Sequence, residues 1–152
     1  MAKFCENIIC GGKYFFINGQ SELVCRSKNK EEQIMTGCSD FDAVAEKGCI
    51  HIAAADKSGN LLYIINNNEH WGRGIAASGA AAENLFIQTE QGNTTVFYVS
   101  GGGLYKIGLN TDAMQQILLD EIHYGAMPFV CQNTVYYINK EEKLCTNGGK
   151  EI

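Results

Sequence analysis

One proline, one tryptophan and no Cys-x-x-Cys pair occur in these 152 residues. No apolar run approaches the roughly 20 residues that cross a bilayer as a helix. The opening Met1-Ala2-Lys3-Phe4-Cys5-Glu6-Asn7 lacks the apolar stretch of a secretory leader. Positive charge is also short: 12 Lys and Arg stand against 17 Asp and Glu, for a formal net charge of −5. Such a balance repels a phosphate backbone and an anionic membrane surface alike. Nucleic acid and membrane are therefore excluded as expected partners, and a soluble cytoplasmic chain is the expectation. The missing prolines are offset by 17 glycines, a composition that suits many tight turns between strands. With 45% hydrophobic and 19% charged residues the chain can bury one core, and nothing in it marks a second domain.

The seven cysteines (Cys5, Cys10, Cys25, Cys38, Cys49, Cys131, Cys145) form an odd set. Several lie inside apolar strand patterns such as Leu23-Val24-Cys25 and Phe129-Val130-Cys131. Buried free cysteine behaves as a small hydrophobe, so reduced thiols in a reducing compartment are expected rather than a disulfide framework.

What the chain has is repetition. Tyr14-Phe15-Phe16-Ile17 leads to Leu23-Val24-Cys25, and Ile50-His51-Ile52-Ala53 leads to Leu62-Tyr63-Ile64. Val96-Phe97-Tyr98-Val99 then leads to Leu104-Tyr105-Lys106-Ile107, and Val135-Tyr136-Tyr137-Ile138 to Leu144-Cys145. With the leucine as the mark, the intervals are 39, 42 and 40 residues. A steady period near forty filled with strands is the mark of propeller blades. The expected fold is all-β, one domain of four propeller-type units at about 1–37, 38–79, 80–120 and 121–152, closing as a small ring or through a second chain. Asn18-Gly19-Gln20-Ser21, Asp56-Lys57-Ser58-Gly59-Asn60 and Gly101-Gly102-Gly103 are the turn clusters between strands. Met114 to Leu119 has helix propensity, but its place in the repeat predicts an outer strand. The fourth unit stops before its own outer strand, which leaves an open edge that must be paired or covered. Self-assembly as a homodimer through that incomplete terminal blade is the expectation.

Segments such as Ala54-Ala55-Asp56-Lys57-Ser58-Gly59-Asn60-Leu61-Leu62-Tyr63 and Val135-Tyr136-Tyr137-Ile138-Asn139-Lys140-Glu141-Glu142-Lys143-Leu144 resemble repeats of bacterial β-propeller proteins. The nearest in kind are uncharacterised tyrosine-rich "YYIN"-type blades, with the Tyr-Trp-Thr-Asp propellers more distant. The resemblance spans nearly the whole chain and implies architecture; those families include binding modules, scaffolds and a few enzymes. The Asp56 to Asn60 turn also resembles the Asp-box of sialidase-like propellers, with Leu61 or Leu62 where an aromatic is expected. In those families the box is structural.

Chemistry-bearing residues are sparse. Cys49 and His51, two apart in a strand, share a face and make half a metal site, with no second paired ligand at a fixed spacing. No metal and no cofactor are expected. No Gly-x-Ser-x-Gly elbow occurs, and Gly101 to Gly103 lack the lysine and hydroxyl of a phosphate loop. Asp40, Asp42 and Asp56 are read as loop carboxylates. The most unusual stretch is Asn66-Asn67-Asn68-Glu69-His70-Trp71-Gly72-Arg73, an aromatic beside amide, imidazole and guanidinium groups in an expected loop. Loops on rigid scaffolds gather binding residues, so Asn68, His70, Trp71 and Arg73 are candidate ligand contacts. His123 and Tyr124, at the crossing from the third unit to the fourth, form a second candidate. The structural reading of Trp71 is that it caps a blade edge and packs on the next unit. The expected function is a non-catalytic interaction or ligand-binding module for a protein or small polar ligand. A carbohydrate-binding protein is the first alternative, and a hydrolase or lyase at the central channel mouth the second.

Overall fold

A computed structural model of the chain describes residues 7–67, 70–109, 114–123, 125–147 and 151–152. Its strands form four antiparallel sheets, and no helix occurs among the described residues. The first sheet holds β1 (Asn7–Cys10), β2 (Lys13–Ile17), β3 (Leu23–Ser27) and β4 (Lys30–Met35) in sequential order. The second holds β5 (Cys38–Glu46), β6 (Cys49–Asp56), β7 (Leu61–Asn67) and β8 (His70–Ala77). β9 (Glu83–Glu90), β10 (Asn93–Ser100), β11 (Gly103–Gly108) and β12 (Ile117–Glu121) make the third. β13 (Phe129–Cys131), β14 (Thr134–Ile138) and β15 (Leu144–Thr146) make the fourth. Of the outer strand expected at Met114 to Leu119, Ile117 to Leu119 are strand and Met114 to Gln116 are not: β12 starts at Ile117 and runs on to Glu121, where pairing with β11 overrides local helix propensity.

The turns explain the strand order. Asn18 Oδ1 accepts from the backbone N–H of Gln20 and Glu22, both at 3.0 Å. Asp56 Oδ1 accepts from Ser58 at 2.9 Å and Asn60 at 2.8 Å, and Asn139 Oδ1 from Glu141 at 3.1 Å and Lys143 at 3.0 Å. A short polar side chain thus closes the same turn in three units. In the third unit, Gly101 (φ 54°) and Gly102 (φ 81°) replace it with a two-residue turn whose two positive φ values favour glycine.

Register shows which residues are equivalent. Ile17 lies opposite Leu23, Ala55 opposite Leu61, Val99 opposite Leu104 and Ile138 opposite Leu144. The repeat mark in the second unit is therefore Leu61 rather than Leu62, which lies opposite Ala54. Because side chains alternate across a strand, each sheet has two apolar faces, and successive sheets stack. Phe15, Leu23 and Cys25 of the first sheet pack on Ile52, Ala54 and Ile64 of the second. Ala53, Ala55 and Leu61 pack on Leu85, Val96 and Tyr98 of the third. Phe97, Val99 and Leu104 meet Val135, Tyr137 and Cys145 of the fourth. Among the described residues no such cluster joins the fourth sheet to the first.

Two polar devices tie the sheets together. The carbonyls of Ser21, Gly59 and Gly102, at one position of successive turns, accept from Cys38, Ala81 and Ile122 at 2.8, 2.9 and 2.9 Å, holding the start of β5 and the next two linkers to the preceding sheet. In addition, Asp40 Oδ2 accepts from Leu85 N–H (3.1 Å), Asp42 Oδ2 from Ile87 N–H (2.8 Å) and Glu46 Oε1 from Gly92 N–H (3.3 Å). Asp40 and Asp42 are thus strand residues of β5 and not the loop acids expected, since their carboxylates serve N–H groups of the neighbouring inner strand.

The fourth sheet departs from the expectation in one respect. All three residues of β13, Phe129, Val130 and Cys131, are exposed, although the pattern reads as a buried strand. Phe129 and Cys131 lie on the face turned away from the third sheet, which no sheet covers among the described residues, while Val130, opposite Val135, is exposed on the other face. The free edge of β15 is partly met by the chain end: Cys145 bridges to Glu151, and Ile152 N–H donates to the Leu144 carbonyl at 2.9 Å.

Candidate functional site

The stretch expected as a loop is a tight hairpin. Asn66 lies opposite Trp71, Asn67 opposite His70 and Ile64 opposite Arg73, so β7 and β8 continue almost to the turn. The reason is that backbone pairing along β7 outweighs the turn propensity of the asparagines. Asn68 falls outside the described residues. Alternation then sorts the candidates: Trp71 and Arg73 share a face with Ile64 and Asn66, and His70 takes the opposite face.

The shared face looks toward the first sheet. Trp71 stands edge-on to Phe15, with centroids 6.1 Å apart and planes at 83°, and its Nε1–H donates to Glu32 Oε2 at 3.1 Å. Trp71 therefore does pack between units, on the preceding one rather than the next. Glu32 is held below the usual carboxylate range by hydrogen bonds from Lys30 and then Trp71, which keeps the acceptor charged. Beside this pair runs a groove of about 320 Å³, between residues 33–36 of the first sheet's outer edge and Ile64, Trp71 and Arg73 of the second. Arg73 is exposed, and no carboxylate among the described residues pairs with its guanidinium. Asn66, only 5% exposed, has an Nδ2 with no hydrogen-bond partner among the described residues. The face thus combines an indole in fixed orientation with a guanidinium and a buried amide that have no such partner among the described residues. Sequence reasoning missed Asn66, which the β7–β8 register sets opposite Trp71, and the β4 edge, whose relation to Trp71 depends on sheet stacking.

The second candidate lies elsewhere. His123 sits in the linker between the third and fourth sheets, where its N–H donates to the Ile138 carbonyl at 2.8 Å. Its Nε2 is 3.6 Å from Glu142 Oε1. It is not brought to Trp71 and Arg73, and Tyr124 lies outside the described residues. His51, half of the metal pair considered, stacks on Tyr63 with planes at 11°, its Nδ1 2.7 Å from the phenol oxygen. Burial pushes its pKa down, against a smaller upward pull from Glu46. Among the described residues no group of three or more His, Cys, Asp or Glu side chains could hold a metal ion. The Asp56 carboxylate is engaged by its own turn, as expected of a structural box.

A scan against protein-family models returns no match. A search of curated proteins likewise returns none. Among solved structures, the chain is similar to one named "Bacteroides ovatus Xyloglucan PUL GH43B", with a TM-score of 0.54 at 8% sequence identity. The alignment covers 93% of this chain and 38% of that one. At that identity the likeness bears on fold alone: it supports a β-propeller scaffold of stacked four-stranded sheets and does not single out any particular type of blade.

Proposed function

We propose that the protein is a ligand-binding module on a propeller-type scaffold, non-catalytic, that takes a saccharide or similarly hydroxyl-rich small ligand in the groove at Trp71 and Arg73. The observation that carries this reading is the groove itself: about 320 Å³, bordered by an aromatic ring, a guanidinium without a carboxylate partner among the described residues, and the mixed edge of Gln33, Ile34, Met35 and Thr36. Sites for small ligands characteristically combine an apolar wall with a few placed polar groups. An indole wall suits the C–H face of a sugar ring, while a guanidinium offers paired donors to hydroxyl or carboxylate oxygens. The similar solved structure carries xyloglucan in its name, which is in keeping with a saccharide ligand.

Trp71 is the sole tryptophan, so its fluorescence reports on this groove alone. Titration with xyloglucan oligosaccharides and a panel of neutral and acidic disaccharides should give a saturable change with at least one of them. Arg73→Ala removes a charged donor from an exposed position and should weaken that binding by about ten- to a hundred-fold at unchanged melting temperature. Trp71→Ala is the poorer test, because the ring also packs on Phe15 and its loss lowers stability. No saturable change with any member of the panel would refute the saccharide reading.

A further inference from the structure

The two ends of the sheet stack carry the two halves of an interface that the chain already makes three times. The leucine at the repeat mark faces the following sheet, and Leu23, Leu61 and Leu104 are all 0% exposed there, whereas Leu144 is 36% exposed. Its neighbours across the ladder continue the pattern. Phe15, Ala53 and Phe97 stand three residues before their turns and are covered by the next sheet; Tyr136, at the same place, stacks on Phe129 of its own sheet at 5.3 Å and 14°, and among the described residues no buried cluster of a further sheet covers it. Phe129 is itself 52% exposed. At the opposite end, the outward face of the first sheet presents Tyr14, Phe16 and Ile9, the last 80% exposed. These positions match Ile52 and Ala54 of the second sheet and Val135 and Tyr137 of the fourth, all buried against a preceding sheet.

From this we infer that the free face of the fourth sheet docks on the free face of the first sheet of a second copy, head to tail. The occupant follows from continuity: at the positions just named, the docked pair would repeat the stacking of sheets one on two, two on three and three on four. Within one chain the two faces form no shared cluster among the described residues, so each is available to another copy. Contact of this kind is heterologous, and closes into a ring when two arcs together complete the turn. Exposed apolar sheet faces of this kind are association surfaces in soluble proteins. The sequence expectation of assembly through an unpaired edge is thereby replaced by assembly through faces, because the β15 edge is already partly met by residues 151–152. Arg26, whose guanidinium lies 5.3 Å over the Phe16 ring and pairs with Glu31 at 2.5 Å, gives the first sheet's face a polar outer margin. The saccharide groove lies at a different seam and is left uncovered.

Light scattering of the purified chain tests this. Wild type should have twice the 16.7 kDa chain mass, falling toward the single mass on dilution. Leu144→Arg and Ile9→Arg place a charge at exposed positions on the two faces, and each alone should be monomeric with an unchanged circular-dichroism spectrum. An equimolar mixture of the two should recover a dimer, because one intact face of each kind survives. Cys131, on the docking face of the fourth sheet, should be alkylated more slowly in wild type than in Leu144→Arg. A monomeric wild type at the highest soluble concentration overturns the inference. So does a dimer that both single variants retain, or single variants that fail to complement in the mixture.

Discussion

At the scale of single residues, the repeat offers internal comparisons. Tyr98 and Tyr137 occupy the same position of successive units, and both phenols are pushed well above their usual range by burial. Their hydroxyls differ. Tyr137 donates to Asp120 Oδ2 at 2.9 Å, whereas the Tyr98 hydroxyl has no partner among the described residues. Tyr137→Phe should therefore cost about 1–3 kcal/mol, since it also strands the carboxylate, and Tyr98→Phe should be neutral or stabilising. Urea denaturation of the two variants checks this; equal losses would contradict the hydrogen-bond argument. His51 supplies a pH dependence. Its folded pKa lies below the unfolded 6.5, so between the two values the unfolded chain binds more protons and stability rises with pH. The contribution is complete above about pH 6.5 and is lost as pH falls through the folded pKa. The drop in melting temperature from neutral pH to pH 5 should accordingly be smaller in His51→Phe than in wild type, even though the variant also leaves the Tyr63 hydroxyl without its partner.

Elements are joined by turns that close themselves and by carboxylates that reach the next sheet. Asn18 and Asn139 perform the same turn closure in the first and last units. Replacing either by alanine should cost about 1 kcal/mol, and the double variant about the sum, because well-separated sites act independently. A smaller loss would mean that the hairpin register is held by the strand pairs alone. The carboxylates on β5 behave differently. Asp40→Ala leaves the Leu85 N–H without its acceptor between two inner strands, so it should cost more than a turn asparagine does. This difference follows from what each group leaves behind: a turn N–H opens to water, and an inner-strand N–H does not.

For the whole molecule, the stack of sheets governs both the groove and the association faces. Each sheet buries its faces only against its neighbours, so stability depends on the seams between units. Among the described residues the terminal sheets carry uncovered faces, and an association that covers them would stabilise the folded chain by mass action. The midpoint of thermal unfolding should therefore rise with protein concentration in wild type and be independent of it in Leu144→Arg. The groove, by contrast, sits at the first seam, and binding there should survive in the monomeric variants.

Much of this was legible in the residues alone. The period near forty, the strand pairs and the Asn18 and Asp56 turns are local matters, settled by side-chain alternation and by hydrogen bonds no more than four residues apart; the matching turn at Asn139 reads in sequence as the end of a strand. Also legible was the pairing of interest in Trp71 and Arg73, two residues apart on one strand. The sequence could not say that their stretch is a hairpin, because asparagine runs favour turns and only the register with β7 overrides them. Nor could it bring Glu32 to Trp71 across 39 residues, or Asp40 to the Leu85 N–H across 45. Alternation establishes that a strand has two faces. Which neighbour covers each face, and that the last one at Phe129 and Leu144 is left uncovered, is decided only when the sheets stack.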